Sequence, residues 1–433
     1  LITKLLDRNP VTRLILPIYL PSLIFASGAG AVVPVLAIAA LSIGFDEAGS
    51  SAAVGTFGFI AILVSPILGW IISKIGDRAA LITGSFIAGG SMAGFLWTLK
   101  FPGTSAAQVV FVLSIIALSV GANTWSLARQ AYVAEAVPAT WRARGLATLG
   151  GMLRIGQLVG PLFATALLAV WALCSVFIFN LVLIALALGL IVAYVLPDPQ
   201  NTGQKQDAYA FTPQKLRQDQ RGKSSPAQVS GRSSEVEQRS KLSTFILGIG
   251  LNCLNVLRAN RNVIVPLWGT FQGYDLTFVT ATFAVTALFD TVMFVVSGSV
   301  MDRRGRHWAL LPSLIFMPLG IAIMIVFTTS AGFVIGAAIL GFGNGFGAGI
   351  VMTAGADLSP SKNRARFLGL WQSIVAIGTA AGPFVISGMT TLIDLRAGLW
   401  ATVAIGIFGL AWSAVLMPVA YRRLGRDLRG NLL

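Results

Sequence analysis

Asp290 stands inside the apolar run LTFVTATFAVTALFDTVMFVVSGSV (276 to 300), twelve residues before Asp302. In a helix that separation is roughly 18 Å, which sets the carboxylate near mid-bilayer if Asp302 marks the water boundary. A charge so placed costs at least about 2.5 to 3.5 kcal/mol unless it is paired or faces water. Burial disfavours the charged form of a carboxyl and a neighbouring guanidinium favours it; a group held between the two influences can take up and release a proton. Arginines stand in other apolar runs: Arg154, with Gln157 on nearly the same helical face, and Arg129, Arg258 and Arg261. In a cavity, a guanidinium recognises carboxylate or phosphate through its planar fork of donors. Two readings stand side by side. In one, Asp290 couples a proton or ion while the arginines recognise an anion. In the other, Asp290 forms a static pair with Arg258, and Arg129 and Arg154 are held by Glu135 or by helix C-terminal carbonyls. Arg261, nearer the far surface, reads as structural.

These residues need elements that can hold them in hydrocarbon. Of 433 residues, 55% are hydrophobic and 11% charged, about half the charged share of an ordinary soluble domain. Runs such as LVLIALALGLIVAYVL (181 to 196) are what a helix needs to cross roughly 30 Å of hydrocarbon. Lipid satisfies no backbone N–H or C=O group, so each run reads as a helix, and no alternating strand segments of a barrel occur. Gly/Pro breaks and charged clusters divide the chain into spans near 13 to 42, 47 to 73, 79 to 99, 105 to 135, 143 to 169 and 173 to 196, then 243 to 269, 276 to 301, 308 to 329, 332 to 357, 365 to 391 and 397 to 420. The expected fold class is an all-α membrane protein of twelve transmembrane helices in two pseudo-symmetric six-helix bundles. Residues 1–197 form the first bundle, 198–241 a solvated, mostly disordered cytoplasmic linker, and 242–433 the second bundle with a basic cytoplasmic tail.

The net charge of +15 would ordinarily suggest nucleic acid. Its distribution excludes that partner. Of the 31 Lys and Arg, only Lys100 and Arg396 fall in loops on one side, and four lie inside helices; the rest fall on the other side. This asymmetry places both termini in the cytoplasm. Short loops and compact size suggest a plasma membrane, a bacterial inner membrane being the expected one. Cys174 and Cys253 fall inside apolar runs and His307 is the single histidine, so neither a disulfide framework nor a metal cluster is expected. No Walker-type loop occurs, no nucleophile and base pair is recognisable, and neither a cofactor nor an enzymatic activity is expected. No cleavable signal pattern is present, and the chain opens on Leu1 rather than Met, so a few preceding residues are expected.

The two halves repeat each other. EAVPATWRARGLATLGGMLRIGQLVGP (135 to 161) aligns without gaps with DLSPSKNRARFLGLWQSIVAIGTAAGP (357 to 383). Glu135 and Asp357, Arg142 and Arg364, Arg144 and Arg366, Gly156 and Gly378, Gly160 and Gly382, and Pro161 and Pro383 coincide. GWIISKIGDR (69 to 78) aligns in the same way with GSVMDRRGRH (298 to 307). Asp290 falls opposite Ala61, so it is no part of the repeated scaffold. Internal repeats of this kind occur in secondary transporters whose substrate site lies between the halves.

At these residues the sequence resembles the major facilitator superfamily over essentially its whole length. The family's loop motif is matched by Gly298, Asp302, Arg303, Gly305 and Arg306 in the second half. In the first half Gly69, Gly76 and Arg78 match it and Asp77 lies within it, but Ser73 replaces the motif's acid. The resemblance implies a cytoplasmic latch of one half on a helix of the other. Asp302 would reach the start of the fifth helix near Arg144, the stronger of two latches, with Arg303 or Arg306 free to pair with Asp357. The alternative is that these charges only enforce topology. Gly156, Gly160 and Pro161 resemble the fifth-helix motif of the family's antiporters, with Ala164 and Thr165 in place of its final glycines; the alternative is ordinary close packing, since the eleventh helix carries the same residues. The glycines at 341, 343, 345, 347 and 349 in the tenth helix read as backbone packing.

Family cavities are lined by the first, fourth, seventh and tenth helices, which here carry Asn123, Arg129, Asn255, Arg258 and Asn344. With Arg154 and Gln157 these form the expected substrate cavity. The resemblance implies an alternating-access carrier, expected to be a proton-linked antiporter exporting small amphipathic molecules or drugs as a monomer in the lipid bilayer. Two alternatives remain, a carrier or flippase for an anionic metabolite or lipid and a non-transporting receptor or assembly factor on the same fold.

Overall fold

The computed structural model describes residues 12–137, 142–195, 230–359, 364–425 and 427–428. Their side chains are described except at 134, 142–144, 230–241, 295, 302, 356, 364–366, 368 and 369. Twelve helices are long and apolar enough to cross a bilayer. The first six are Thr12–Ser42, Glu47–Ile75, Asp77–Thr98, Ser105–Val133, Gly145–Leu168 and Cys174–Tyr194. The second six are Leu242–Phe271, Leu276–Met301, His307–Val326, Ser330–Gly355, Leu370–Leu392 and Leu395–Arg423.

Water-facing helix starts are written in the sequence. At the end of the bundle remote from the chain ends, the second, fourth, eighth, tenth and twelfth helices begin on Asp46, Thr104, Asp275, Thr329 and Asp394. Each side chain accepts a hydrogen bond from the backbone N–H three residues on and satisfies a donor that the helix start would orphan. At the opposite end, the second helix stops at Gly76 (φ 86°) and the eighth at Gly305 (φ 102°), equivalent positions of the repeat and a conformation that favours glycine.

One sequence expectation is refined and one is corrected. The seventh helix begins at Ser230, inside the stretch expected to be linker up to residue 241. Its approach, SEVEQRSK, is rich in good helix formers, which extend a helix past the hydrocarbon boundary although nothing apolar calls for it. The rest of that linker lies outside the described residues. The tenth span is not one helix but two, Ser330–Phe346 and Ile350–Leu358. Gly349 takes φ 81° in the break, and Ser297 of the eighth helix donates to the freed carbonyls of Phe346 (2.6 Å) and Ala348 (3.2 Å).

Each half packs by the same scheme. The first helix lies against the fifth and sixth as the seventh does against the eleventh and twelfth, and the third lies on the fourth and sixth as the ninth does on the tenth and twelfth. Each half also has its own apolar core, one around Phe95, Phe111, Trp125 and Phe177 and the other around Trp268, Phe333, Trp371 and Tyr421. Helix association in lipid depends on close backbone approach at small residues. A Cβ on Gly160 would fall on the first-helix backbone at Ser27, Gly30 and Ala31, and one on Gly382 would meet Asn260 and Val256 of the seventh helix. Gly160→Ala is therefore expected to destabilise by about 1–3 kcal/mol, the range for overpacking. A lowered unfolding temperature in detergent checks this, against Gly150→Ala, where a Cβ meets open space and no shift is expected.

Candidate functional site

Between the halves, side chains from the fifth, seventh, eighth and tenth helices converge on Asp290. Arg154 Nη1 donates to Oδ1 at 3.1 Å, Arg261 Nη1 to Oδ2 at 3.1 Å and Asn344 Nδ2 to Oδ2 at 2.7 Å. Asn344 Oδ1 in turn accepts from Arg258 Nε at 3.1 Å. Two aromatic rings support the cations: Arg154 lies 3.9 Å over the Phe294 centroid and Arg261 5.7 Å from that of Phe283. The cluster opens on a cleft whose empty space, open solvent included, is about 570 Å³. Ala29, Gly30 and Val33 of the first helix face Arg154, Gln157, Arg261, Asn262, Phe283, Asp290 and Thr291 across it.

This arrangement corrects the sequence reading in three places. Arg258 does not pair with Asp290; Asn344 stands between them. Arg261, read as structural, is a direct partner of the carboxylate. The fourth helix adds nothing to the cleft lining: Asn123 donates to Ser119 O of its own helix at 2.8 Å, and Arg129 joins neither Asp290 nor the cleft, its buried Nε having no hydrogen-bond partner among the described residues. The tenth helix adds nothing to the lining either, and Arg258 and Asn344 stand outside it; the fifth and eighth helices join the first and seventh in lining the cleft. Asn255 Nδ2 clasps Val375 O of the eleventh helix at 2.8 Å, a structural bond. Gln157 projects into the cleft and is exposed. Sequence reasoning missed Asn262, whose Oδ1 is buried without a partner among the described residues, and Thr291. The polar string NVLRANRN, 255 to 262, was the available sign that this part of the seventh helix faces something other than lipid.

The halves meet chiefly along three helix pairs, first with seventh, second with eleventh and fifth with eighth. Their contacts lie toward the end remote from the chain ends. Ser51 Oγ donates to Pro383 O at 2.7 Å, Phe59 meets Phe384 edge-on at 6.4 Å, and Thr165 Oγ1 donates to Thr280 Oγ1 at 3.2 Å. Toward the other end a Cβ on Gly69, Gly150, Gly151 or Gly298 would meet nothing within 4 Å. Among the described residues, the side-chain contacts between the halves close the interface at the remote end, and these glycines at the end that carries the termini meet no neighbour.

The loop-motif residues of the second half tie that half to itself. Arg306 Nε pairs with Asp357 Oδ2 at 3.0 Å, Tyr421 Oη donates to the same oxygen at 3.1 Å, and Arg306 N donates to Leu428 O at 2.7 Å. Arg303 and Glu135 are exposed. In the first half Asp77 is buried at the start of the third helix, and Arg78 Nη2 donates to Val192 O of the sixth at 3.0 Å. The side chains of Arg142, Arg144, Asp302, Arg364 and Arg366 lie outside the described residues, and the expected Asp302 latch lies there with them.

The sequence profile described as Major Facilitator Superfamily matches residues 18–254 and 242–431. An uncharacterized MFS-type transporter of Mycobacterium tuberculosis is 26% identical over 169 residues, 39% of this chain and 25% of that protein. The MFS-type transporter TwmF of Talaromyces wortmannii is 26% identical over 210 residues, 46% of this chain and 37% of its own length. The matched regions thus span well under half the length of these relatives. Among solved structures, a D-xylose-proton symporter superposes with TM-score 0.71 at 14% identity, covering 98% of this chain and 99% of that one. A POT family transporter in complex with a thioalcohol-conjugated peptide superposes with TM-score 0.71 at 12% identity, covering 93% and 95%.

Proposed function

Because this chain belongs to the major facilitator superfamily, we propose that it is a proton-linked transporter whose central site binds the anionic group of a small organic molecule, with Asp290 carrying the proton. The family makes it a secondary transporter; its cargo is read from the site. The observation that carries the reading is the charge balance. Three guanidinium groups, of Arg154, Arg258 and Arg261, surround the single carboxylate of Asp290, which leaves the cluster two positive charges in excess. At an effective dielectric of about 20, a unit anion roughly 5 Å from each uncompensated charge gains about 3 kcal/mol per charge. A cationic substrate meets the same term with the opposite sign.

The sign of coupling follows from the same balance. Protonating Asp290 removes the one negative charge and raises the cluster from two to three positive charges, so proton and anion bind together. A coupling of about 1–3 kcal/mol corresponds to roughly 5- to 150-fold tighter anion binding at the protonated site. Proton and anion then travel in the same direction. With the termini in the cytoplasm, as the Lys and Arg distribution supports, the described state faces inward and its sealed remote end is the outer gate.

Export of amphipathic compounds by antiport is a second reading, favoured by Gly156, Gly160 and Pro161 on the fifth helix. Its support is limited, because the equivalent glycines of the eleventh helix pack in the same way against the seventh. The two readings differ in the sign of proton exchange. Purified, weakly buffered protein is mixed with lactate, succinate or sulfate, and separately with tetraphenylphosphonium. Proton uptake with an anion, lost in Asp290→Asn, is the expected result. Proton release with the cation would instead support antiport.

A further inference from the structure

The neighbours of Asp290 differ in one chemical respect. Arg154 and Arg261 reach it through guanidinium nitrogens, which donate hydrogen bonds and cannot accept them. Asn344 presents an amide, donor on one side and acceptor on the other. When Asp290 is ionised all three donate to it, and the amide has one orientation that satisfies its surroundings, Nδ2 toward Asp290 and Oδ1 toward Arg258 Nε. A protonated carboxyl needs an acceptor for its new O–H. Of the side chains bonded to Asp290, Asn344 alone can become one, by turning its amide over.

We propose that Asn344 is a toggle that converts protonation of Asp290 into release of Arg258 for an anion. This rests on the reading of Asp290 as the proton carrier and assigns Asn344 as its positioning residue. A proton from the cleft adds to Asp290 Oδ2. The Asn344 amide rotates by half a turn, its Nδ2–H···Oδ2 bond breaks, and Oδ2–H now donates to Asn344 Oδ1. The rotation brings the amide N–H groups toward Arg258 Nε–H, donor against donor, and the Arg258–Asn344 bond is lost. Arg258 then presents its Nε and adjoining Nη edge, the geometry that holds a carboxylate or phosphate by two parallel bonds.

Position and surroundings fit this role. Arg258 lies three residues, roughly 4.5 Å, closer than Arg261 to the open end of the cleft. Its terminal nitrogens have no hydrogen-bond partner among the described residues, and in this state the guanidinium stands behind Asn344, outside the cleft lining. Asn344 sits one turn before the break in the tenth helix. There Gly347 leaves space that Arg258 occupies: a Cβ on Gly347 would lie 2.8 Å from Arg258 Nη2. The charged groups facing Asp290 are Arg154 of the fifth helix and Arg261 of the seventh, with Arg258 beyond the amide. The first helix presents Ala29, Gly30 and Val33, so no second acid shares the titration from that side.

Asn344→Leu, of similar volume but without hydrogen-bonding groups, separates the toggle from a structural role. Sulfate is the probe because its own charge does not change near neutrality. In the wild type, sulfate binding is weak at high pH and tightens as Asp290 protonates. In Asn344→Leu, Arg258 is unoccupied at every pH. Binding at high pH is therefore expected to be tighter than wild type by roughly 10- to 150-fold, the worth of one charge-assisted bond, with a flatter pH profile. In an Asp290→Asn background, where the new amide donates to Asn344, adding Asn344→Leu is expected to change nothing further. Weaker binding by Asn344→Leu, or a wild-type pH profile, overturns the toggle. Infrared difference spectra between high and low pH test it without a ligand. The protonated-carboxyl band of Asp290 is expected to rise together with a shift of one amide carbonyl band that is absent in Asn344→Leu. A carboxyl band rising without the amide shift overturns the toggle while leaving Asp290 as proton carrier; no carboxyl band at all overturns both.

Discussion

Asp290→Asn is expected to abolish proton-driven accumulation of substrate while leaving substrate exchange across the membrane intact. In proteoliposomes with an imposed pH gradient, accumulation should fall by more than about tenfold, within the 5- to 150-fold range of typical coupling free energies. The amide keeps the shape of the carboxylate but has one acceptor oxygen in place of two: Oδ1 still accepts from Arg154, while the amide nitrogen in place of Oδ2 donates to Asn344 and no longer accepts from Arg261, so the protein folds with some loss of stability. What disappears is the titrating group. Counterflow, which needs substrate binding and alternation but no proton, persists. Asp290→Ala behaves differently. It leaves guanidinium groups without the carboxylate that both Arg154 and Arg261 contact at 3.1 Å; breaking a buried pair in this way costs about 3–5 kcal/mol. An unfolding temperature lowered much further in Asp290→Ala than in Asp290→Asn separates coupling from packing. Full accumulation by Asp290→Asn removes Asp290 from the coupling step.

How far the sequence discloses this site follows from what helix geometry fixes and what it leaves free. Depth is fixed by counting. Twelve residues from Asp302 put Asp290 at mid-span, and the structure buries it between the halves. The repeat discloses architecture for the same reason: Gly76 and Gly305 align in sequence and both adopt positive φ at the ends of the second and eighth helices. Partner choice is not fixed by counting. Arg258 and Arg261 lie three residues apart, almost on one face and about 4.5 Å apart in height, which is less than the reach of an arginine side chain. Which of the two meets Asp290 is decided by Asn344, arriving from the tenth helix 54 residues away. The break at Gly347–Gly349 is hidden likewise. Glycines inside an apolar run serve close packing or a helix interruption equally well, and the carbonyls the break exposes are satisfied from another helix, at Ser297. The exchange of the fourth and tenth helices for the fifth and eighth in the cleft lining has the same origin, since rotation of a helix about its own axis is set by its neighbours.

A disulfide between cysteines at 165 and 280 is expected to stop transport almost completely, and reduction with dithiothreitol to restore it. Thr165 Oγ1 and Thr280 Oγ1 lie 3.2 Å apart across the fifth and eighth helices, close enough for two sulfur atoms to bond with little backbone adjustment. Cys174 and Cys253, both free thiols, are first replaced by alanine so that a single pair can form. The seam that Thr165 and Thr280 share is part of the sealed end of the cleft, with Ser51 and Pro383 on the opposite flank. If the halves alternate by rocking about the central cluster, this seam must open once in every cycle, and a covalent bond across it holds the cleft permanently open toward the chain ends. Gln157→Cys, projecting into that cleft, should then react fully with a maleimide applied from the chain-end side. Thr165→Cys or Thr280→Cys alone should transport normally, because the hydroxyl pair is one of several contacts along the seam. Sustained transport with the bond in place would mean that the fifth and eighth helices move as one body, and that the cleft is emptied to the far side by a motion confined to the second and eleventh.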